Sequence, residues 1–446
     1  MRSKFHTAAL FLLIYATAGL YARSQTAAPY RLTLQDAIQK ALQANLNVLV
    51  AGTRVDEAKA TRARRLAAAL LPRVNAQSFA NFSNHDLQAQ GLSFPGLPKV
   101  VGPLSNYDIG VSAQENIIDL QSRRELKASE IAVDAGKMDE RDARDLIVRA
   151  IAALYLNAQS AAARADAAES RVNDSSALDK LAQDKHDAGS ATGVDVLRAQ
   201  VQLANDKQAL LIARNQYKQS QLELERAMGM SPGTPLELAE PLNDQPLKEW
   251  EIETLTAAAL RERADYLSLV KQREGLVEQQ SANRARALPR LSVNGNFSEI
   301  GRSIGGMKST GLVQGQIDFT LFDRDRNGEA QELASRVKRI DDQIADQRRG
   351  IEEDLREALL NLDSASEQVT VARDGEELAR RELQMAQDRF REGTANNVEV
   401  ITAQDELARA EENFILAVSS HVDAKFALAR AMGDTEKNIL EFTGNH

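Results

Sequence analysis

Two stretches of sequence, HDAGSATGVDVLRAQ at residues 186–200 and FREGTANNVEVITAQ at residues 390–404, indicate the fold of this chain. Each interrupts a long run without proline, and each places a glycine shortly before a Thr or Asn. Glycine favours the left-handed turn that ends a helix, whereas Thr and Asn favour the N-terminal position of the next helix. The two stretches therefore predict two breaks, each joining a pair of long helices.

The same register extends through both halves of the chain as a tandem repeat. The string RAMG recurs 204 positions apart, and the strings LLPRV and ALPRL recur 217 positions apart, so the first half has 13 extra residues. We expect a first repeat over residues 25–229, a Pro-rich linker or equatorial segment over 230–249, a second repeat over 250–433 and a short tail over 434–446. The residues identical at the 204 offset include Asp119 and Asp323, Ile147 and Ile351, Asn157 and Asn361, Gly189 and Gly393, and Gln200 and Gln404.

Apolar residues around the breaks follow helical spacing. The stripe in the second half has intervals of three, four or seven, and the corresponding stripe in the first half is rich in Ala. A helix from residue 120 to residue 188 would be roughly 100 Å long at 1.5 Å per residue. The pattern predicts long amphipathic helices packed side by side. The second stripe consists of Val337, Ile340, Ile344, Ile351, Leu355, Leu359 and Leu362.

Four segments alternate between apolar and polar residues, as β-strands do: residues 73–82, 107–118, 290–299 and 311–322. Their length suits a tilted crossing of a bilayer, with apolar residues facing lipid and polar residues facing inward. A soluble sheet docked on helices is the alternative, because the signal of each strand is weak. Four strands cannot close a membrane barrel and an open edge is not tolerated in lipid, so a barrel would need several chains.

The composition excludes several classes of protein. The 55 Lys and Arg residues are outnumbered by 64 Asp and Glu residues, so no basic surface for nucleic acid is expected. With no Cys, disulfides and thiolate chemistry are excluded, and the scattered His residues lack metal-ligand spacing. We therefore predict no catalytic residues, no metal and no cofactor. Residues 1–24 have a basic start, an apolar run and small residues, which predicts a cleaved secretory signal peptide.

The tandem repeat, the paired LP sequences, the aspartate after each second strand and the two break sequences together resemble the TolC family of outer-membrane efflux proteins, over about residues 30–435. The resemblance implies a mainly α-helical protein with a membrane β-barrel. Three chains would contribute four strands each to a twelve-stranded barrel in outer-membrane lipid, and the helical hairpins would form a periplasmic α-barrel. The implied function is a passive exit duct, not an enzyme, for a tripartite efflux or type I secretion system. Its partners would be a periplasmic adaptor and an inner-membrane transporter.

The resemblance also implies roles for the residues at the breaks. The acidic residues that follow the breaks, Glu399 and Asp195, would narrow the periplasmic mouth, although Thr402 stands where some relatives have a second acid. Capping of a helix is the structural alternative for both carboxylates. The breaks themselves would form the tip that meets the adaptor. The matching positions are Ala188, Gly189 and Ser190 in the first half and Glu392, Gly393 and Thr394 in the second.

Two functions are therefore compatible with the sequence. One is the outer-membrane duct, and the other is a secreted periplasmic coiled-coil protein with a structural role. Fractionation distinguishes them, because a duct stays with outer membranes after salt and carbonate washing whereas a periplasmic scaffold is released. The sequence leaves the cargo open among drugs, metal ions and polypeptides.

Overall fold

The structure, a computed structural model, describes residues 30–443 except residues 90, 93, 94, 97, 243, 244, 246, 248 and 249. The predicted signal peptide lies outside the described residues. The helices are α1 (Leu34–Ala44), α2 (Leu46–Leu70), α3 (Leu120–Asp187), α4 (Gly193–Ala227), α5 (Ile252–Glu262), α6 (Ala264–Ala285), α7 (Arg324–Glu392), α8 (Asn397–Met432) and α9 (Thr435–Thr443). The strands are β1 (Tyr30–Leu32), β2 (Arg73–Asp86), β3 (Val100–Ile118), β4 (Leu236–Leu238), β5 (Arg290–Gly301) and β6 (Lys308–Asp318).

The two long helices start at the repeated aspartates. Asp119 Oδ1 accepts a hydrogen bond from the Ser122 amide at 3.0 Å, and Asp323 Oδ1 accepts one from the Arg326 amide at 3.1 Å. Each aspartate thus satisfies an amide that the first turn of the helix leaves free. From these caps, α3 runs for 68 residues and α7 for 69 residues. The predicted long helices are confirmed.

The helices lie side by side in a fixed order. Near the breaks, α4 packs on α3, α3 packs on α8, and α8 packs on α7. Nearer the strands, α2 packs on α3, α3 packs on α6, and α6 packs on α7. Consequently α3 lies between neighbours along its whole length. One margin of the chain is formed by α2 and α4, and the other is formed by α7.

The buried apolar residues form two separate clusters. The main core has buried residues from every described α-helix except α6 and includes Ile151, Tyr155, Leu355 and Phe426. The tip core lies near the breaks and consists of Leu178, Ala182, Ala199, Ala379, Leu383, Ala386, Phe390, Val400, Ala403 and Leu407. Between the two clusters on α3, the small side chains of Ala161, Ala165 and Ala168 are buried but belong to neither cluster.

One described helix, α3, is long and apolar enough for a membrane crossing by length and composition alone. Of its most apolar window, 44% is buried inside the chain. Tyr155 of the same helix is buried, and its hydroxyl group donates to the Leu32 carbonyl oxygen at 3.1 Å. Packing in the main core therefore accounts for the apolar character of α3.

The larger sheet is antiparallel, with strand order β2-β3-β5-β6. The β2–β3 pairing continues up to Asp86 and Val100, so β3 starts seven residues earlier than predicted. The predicted end of β6 at residue 322 is wrong. The ladder stops where Arg290, the first residue of β5, pairs with Asp318, and residues 319–322 have no partner strand within the described residues.

The segments between and after the repeats also contain regular structure within their described residues. In the segment 230–249, β4 pairs in parallel with β1, and this attaches the segment to the first repeat. Within residues 434–446, α9 packs on α8 and α3 and buries Ile439 and Phe442. The C-terminal segment thus adds to the main core over its described residues.

Candidate functional site at the helix breaks

Both breaks close by the same hydrogen-bonding pattern. Gly189 and Gly393 have φ angles of 72° and 78°. The amide that follows each glycine bonds back over the end of the helix, from Ser190 to the Lys185 carbonyl at 2.8 Å and from Thr394 to the Arg389 carbonyl at 3.0 Å. This left-handed ending favours glycine, as the sequence predicted.

The first break ends in a reciprocal cap. The Thr192 amide donates to Asp195 Oδ2 at 3.0 Å, and the Asp195 amide donates to Thr192 Oγ1 at 3.3 Å. The Thr192 hydroxyl group also donates to Asp195 Oδ2, at 2.7 Å. These hydrogen bonds hold the pKa of the Asp195 carboxyl below its usual value. The capping alternative is confirmed for Asp195.

The second break uses its carboxylate differently. Asn396 Oδ1 accepts hydrogen bonds from the amides of Val398 and Glu399, so the asparagine alone forms the described cap. Glu399 instead forms an ion pair with Arg389 at 2.8 Å, between the start of α8 and the end of α7. Glu399 thus lies in the first turn of α8, as the capping prediction required, but within the described residues the predicted contact of its carboxylate with the exposed amides is not formed. A glutamate is one methylene longer than Asp195 and reaches the neighbouring helix.

Contacts between the two breaks place them side by side. The Asn397 side chain is fully buried, and its Nδ2 donates to the Asp195 carbonyl oxygen at 2.6 Å. Lys185 Nζ lies 5.4 Å from the centre of the Phe390 ring, a cation–π contact. Sequence reasoning missed Asn397, Arg389 and Phe390. Comparison at the 204 offset could have drawn attention to Phe390, because an aromatic residue there replaces the polar His186 of the first repeat.

The breaks together form one exposed end of the molecule. No described atom lies within 4 Å of the position that a Cβ would take at Gly189 or Gly393. The backbone at both glycines can therefore be approached closely by another molecule. The six predicted docking residues are all exposed: Ala188, Gly189, Ser190, Glu392, Gly393 and Thr394.

The sheet at the other end of α3 and α7 has one apolar and one polar face. Cross-strand pairing places Val74, Ala113 and Val313 on one face. It places Gln114, Asn294 and Gln314 on the opposite face. At the far end of the apolar face, the rings of Phe82 and Tyr107 meet edge to face with centroids 5.8 Å apart. A lipid-facing band bordered by aromatic residues has this arrangement.

The described residues contain no group of three or more His, Cys, Asp or Glu side chains arranged to hold a metal ion. The geometry around the breaks is that of caps, ion pairs and exposed backbone. This arrangement suits recognition of another molecule.

The comparison with protein families gives a match in both repeats. The sequence model of the family described as "Outer membrane efflux protein" matches residues 37–230 and 255–434. The chain belongs to this family. The search of curated protein sequences gave no significant match.

Solved structures of outer-membrane channels have the same fold. The channel OprN is 20% identical with a TM-score of 0.72, over 90% of this chain and 89% of OprN. VceC from Vibrio cholerae is 16% identical with a TM-score of 0.74, over 90% of this chain and 96% of VceC. CmeC from Campylobacter jejuni is 18% identical with a TM-score of 0.70, over 92% of this chain and 89% of CmeC.

Family membership assigns the two ends of the molecule. The chain is an outer-membrane efflux channel whose sheet lies in the outer membrane and whose helices extend into the periplasm. The polar and apolar faces of the sheet fit this location. The helix breaks, one helix length or about 100 Å from the sheet, then lie at the periplasmic end.

Proposed function

We propose that this channel is the exit duct of a tripartite efflux or type I secretion system. A periplasmic adaptor binds the helix breaks, an inner-membrane transporter supplies the energy, and cargo passes through the channel. The observation that carries the proposal is the placement of both glycine turns, exposed and side by side, at the periplasmic end. Exposed backbone at a helix end offers an adaptor a close and directional contact.

We further propose that three chains form one channel. The described ladders leave β2 and β6 as the edges of a four-stranded sheet, and an unpaired edge is not tolerated in lipid. The smallest membrane barrels have eight strands, so two chains would leave little room for a tunnel. Three chains give twelve strands and a wider lumen.

The helices support the same assembly. The margins of the chain, α4 and α7, both carry exposed apolar side chains at helical spacing, which is unusual for a surface facing water. If α7 of one chain packs on α4 of the next, the contact is head-to-tail and closes into a ring. The residues concerned are Val194, Leu197, Val201, Leu211 and Ile212 on α4, and Leu360, Val371, Leu378 and Met385 on α7.

In such a trimer, Glu399 and Asp195 are the proposed constriction of the periplasmic mouth. Three copies of Glu399 would contribute most of the charge, because the Asp195 carboxylate is held in the cap of α4. Arg389 lies beside each Glu399 and offsets part of its charge. The proposed constriction therefore favours cations only moderately.

The adaptor proposal is tested by the double variant Gly189→Glu/Gly393→Glu. The two side chains would project into the space where a partner approaches, so we expect export to fail while trimers and outer-membrane location persist. The matched control is Gly189→Asn/Gly393→Asn, because asparagine tolerates a positive φ angle. Normal export by the Glu variant would contradict the docking assignment. Because asparagine keeps the turn, loss of export in both variants would show that docking requires positions without any side chain at these turns.

A further inference from the structure

A layer of polar side chains borders the tip core on the side of the main core. It lies across α3, α4, α7 and α8 and partly interleaves with the tip core, since Gln404 lies between Ala403 and Leu407 in α8. We call this layer the polar belt. Its members are Arg171, Asp174, Asp206, Glu376, Arg380, Gln404, Asp405 and Glu411.

A small cavity lies within the polar belt. Its volume is about 40 Å³, and its lining comes from all four helices, including Asp174, Asp206 and Gln404. Gln404 is only 7% exposed, and neither polar atom of its amide has a hydrogen-bond partner among the described residues. A buried amide without partners is costly, so this group needs a donor and an acceptor inside the cavity.

Negative charge is in excess around this cavity. The belt contains five carboxyl groups, from α3, α4, α7 and α8, against the two guanidinium groups of Arg171 and Arg380. Arg380 pairs with Glu376 at 2.6 Å and lies 3.9 Å from Glu411. One oxygen of Glu411, Oε2, is buried without a hydrogen-bond partner in the described part of the chain. Charge compensation is therefore incomplete.

A bound cation or a proton would supply the missing compensation. The described carboxylates of the belt do not converge as a metal site requires. A cavity of about 40 Å³ has room for one or two water molecules but not for a hydrated divalent ion. A proton needs no such convergence. It also converts a carboxylate that only accepts hydrogen bonds into a carboxyl group that donates one, for example to Gln404 Oε1.

We propose that the polar belt takes up protons when the tip half of the helices packs against the rest, so that acidification tightens this packing and neutral pH loosens it. The proton comes from water and resides on a belt carboxylate, and no bond other than O–H forms. The device lies within one chain. It is therefore independent of the adaptor and trimer proposals above.

The pKa directions at the belt agree with this geometry. Burial, and secondly the Asp206 carboxylate, raise the pKa of Asp174 against the opposing effect of Arg380. Burial also raises the pKa of Asp206, opposed first by a hydrogen bond with Ser175 and then by Arg171. It raises the pKa of Glu411 against the opposing effects of Arg171 and Arg380. Because these pKa values are higher in the packed state than in water, the packed state binds more protons. Packing is then favoured as pH falls through the raised pKa values and weakened as pH rises.

The test measures the separation of the two hairpins in the full-length channel. Spin labels on Gln183→Cys in α3 and Gln384→Cys in α7 report on exposed positions of the tip half, and the chain has no other Cys. Labelled chains are diluted with unlabelled chains so that only distances within one chain are measured. From neutral to mildly acidic pH, we expect the separated population to fall by up to about tenfold per pH unit for each proton taken up.

The double variant Asp174→Asn/Asp206→Asn mimics protonation at two of the three belt carboxyl groups whose pKa values are raised. It should be more packed at neutral pH than the unmodified channel and show a smaller pH response, with Glu411 supplying the remainder. Asp184→Asn removes an exposed carboxylate from the same helix and should keep the normal pH response. A pH response as large in the double variant as in the unmodified channel would overturn the proposal, as would the absence of a response from the unmodified channel. If magnesium chloride at neutral pH reproduces the tightening, the belt is a cation site and the proposal is wrong.

A second measurement does not depend on assembly of the double variant. Infrared difference spectra of the unmodified channel should show a protonated carboxyl band that persists above the pH at which exposed carboxyl groups ionise. Glu411→Gln should remove part of that band. A spectrum without the band would overturn the proposal even if the double variant failed to assemble.

Discussion

The two helix breaks occupy matching positions of a repeat and are stabilised differently. At the first break, Asp195 is bonded back to Thr192 and His186 is exposed. At the second, Glu399 reaches Arg389 and Phe390 is buried in the tip core. The two repeats therefore share the turn, but the side chains at matching positions make different contacts. The side chains of the second break contact neighbouring helices, whereas those of the first break form hydrogen bonds within the break itself.

The largest difference is expected between Phe390→Ala and His186→Ala. Phe390 is 4% exposed, and removing such a ring from a core costs about 3–5 kcal/mol. At constant pH, hydrogen exchange of the backbone amides around the tip core should then be faster by about a hundredfold or more. His186→Ala removes only an exposed hydrogen bond between His186 Nδ1 and the Ala191 carbonyl oxygen, 3.1 Å apart, and should cost no more than about 1 kcal/mol. Equal effects of the two changes would show that the breaks are equivalent.

Asn397→Ala tests the contact that joins the breaks. It removes the donor to the Asp195 carbonyl and should destabilise the packing of α4 against α8 by about 1–3 kcal/mol. Hydrogen exchange should increase in the first turns of both helices. The matching residue of the first repeat is Gly193, which has no side chain, so Gly193→Ala is the control and should leave α8 unchanged. Faster exchange in α8 alone would contradict a contact across the breaks.

The third comparison concerns the two caps. Thr192→Ala removes a reciprocal cap and Asn396→Ala a simple one, and each should cost about 1 kcal/mol. The pKa of Asp195 is lowered in the folded state, so its contribution is present above the usual Asp range and is lost as pH falls through the lowered pKa. Acidification should therefore open the start of α4 in the unmodified channel but not in Asp195→Asn. A pH response in that variant would point to another carboxyl group.

The smallest effect is expected on ion selectivity. Glu399→Gln should lower the cation preference of the channel in planar bilayers, but only modestly, because Arg389 already offsets the charge. Arg389→Gln leaves Glu399 unpaired and should raise the preference. If both variants conduct as the unmodified channel does, the ion pair lies away from the conduction path.

The fold was largely predictable because the residues that start and end the long helices recur at the same positions of both repeats. The glycines of both breaks were correctly predicted, since each acts through backbone geometry local to a few residues. The repeat also marked Asp119 and Asp323, but only the structure shows that they cap the two long helices. The end of β6 was not, because the length of a strand depends on where its partner begins. The pattern of residues 319–322 continues past the last pair of the ladder.

The side-chain contacts of the site were less predictable, because they depend on which helices become neighbours. Gln200 and Gln404 are identical at the repeat offset, yet Gln200 is exposed and Gln404 is buried. The difference follows from position in the row of helices, since α8 lies between α3 and α7 whereas α4 forms a margin. Periodicity predicts the face of a helix but not its neighbours.

The two unpaired edges of the sheet also constrain how the channel is made. In the shared barrel proposed above, a lone chain entering the bilayer would carry the amide and carbonyl groups of β2 and β6 into hydrocarbon, at several kcal/mol for each unsatisfied group. Insertion and association must then be a single event. The biogenesis rate should depend steeply on the concentration of chains, and a newly exported chain waits outside the bilayer until two others arrive.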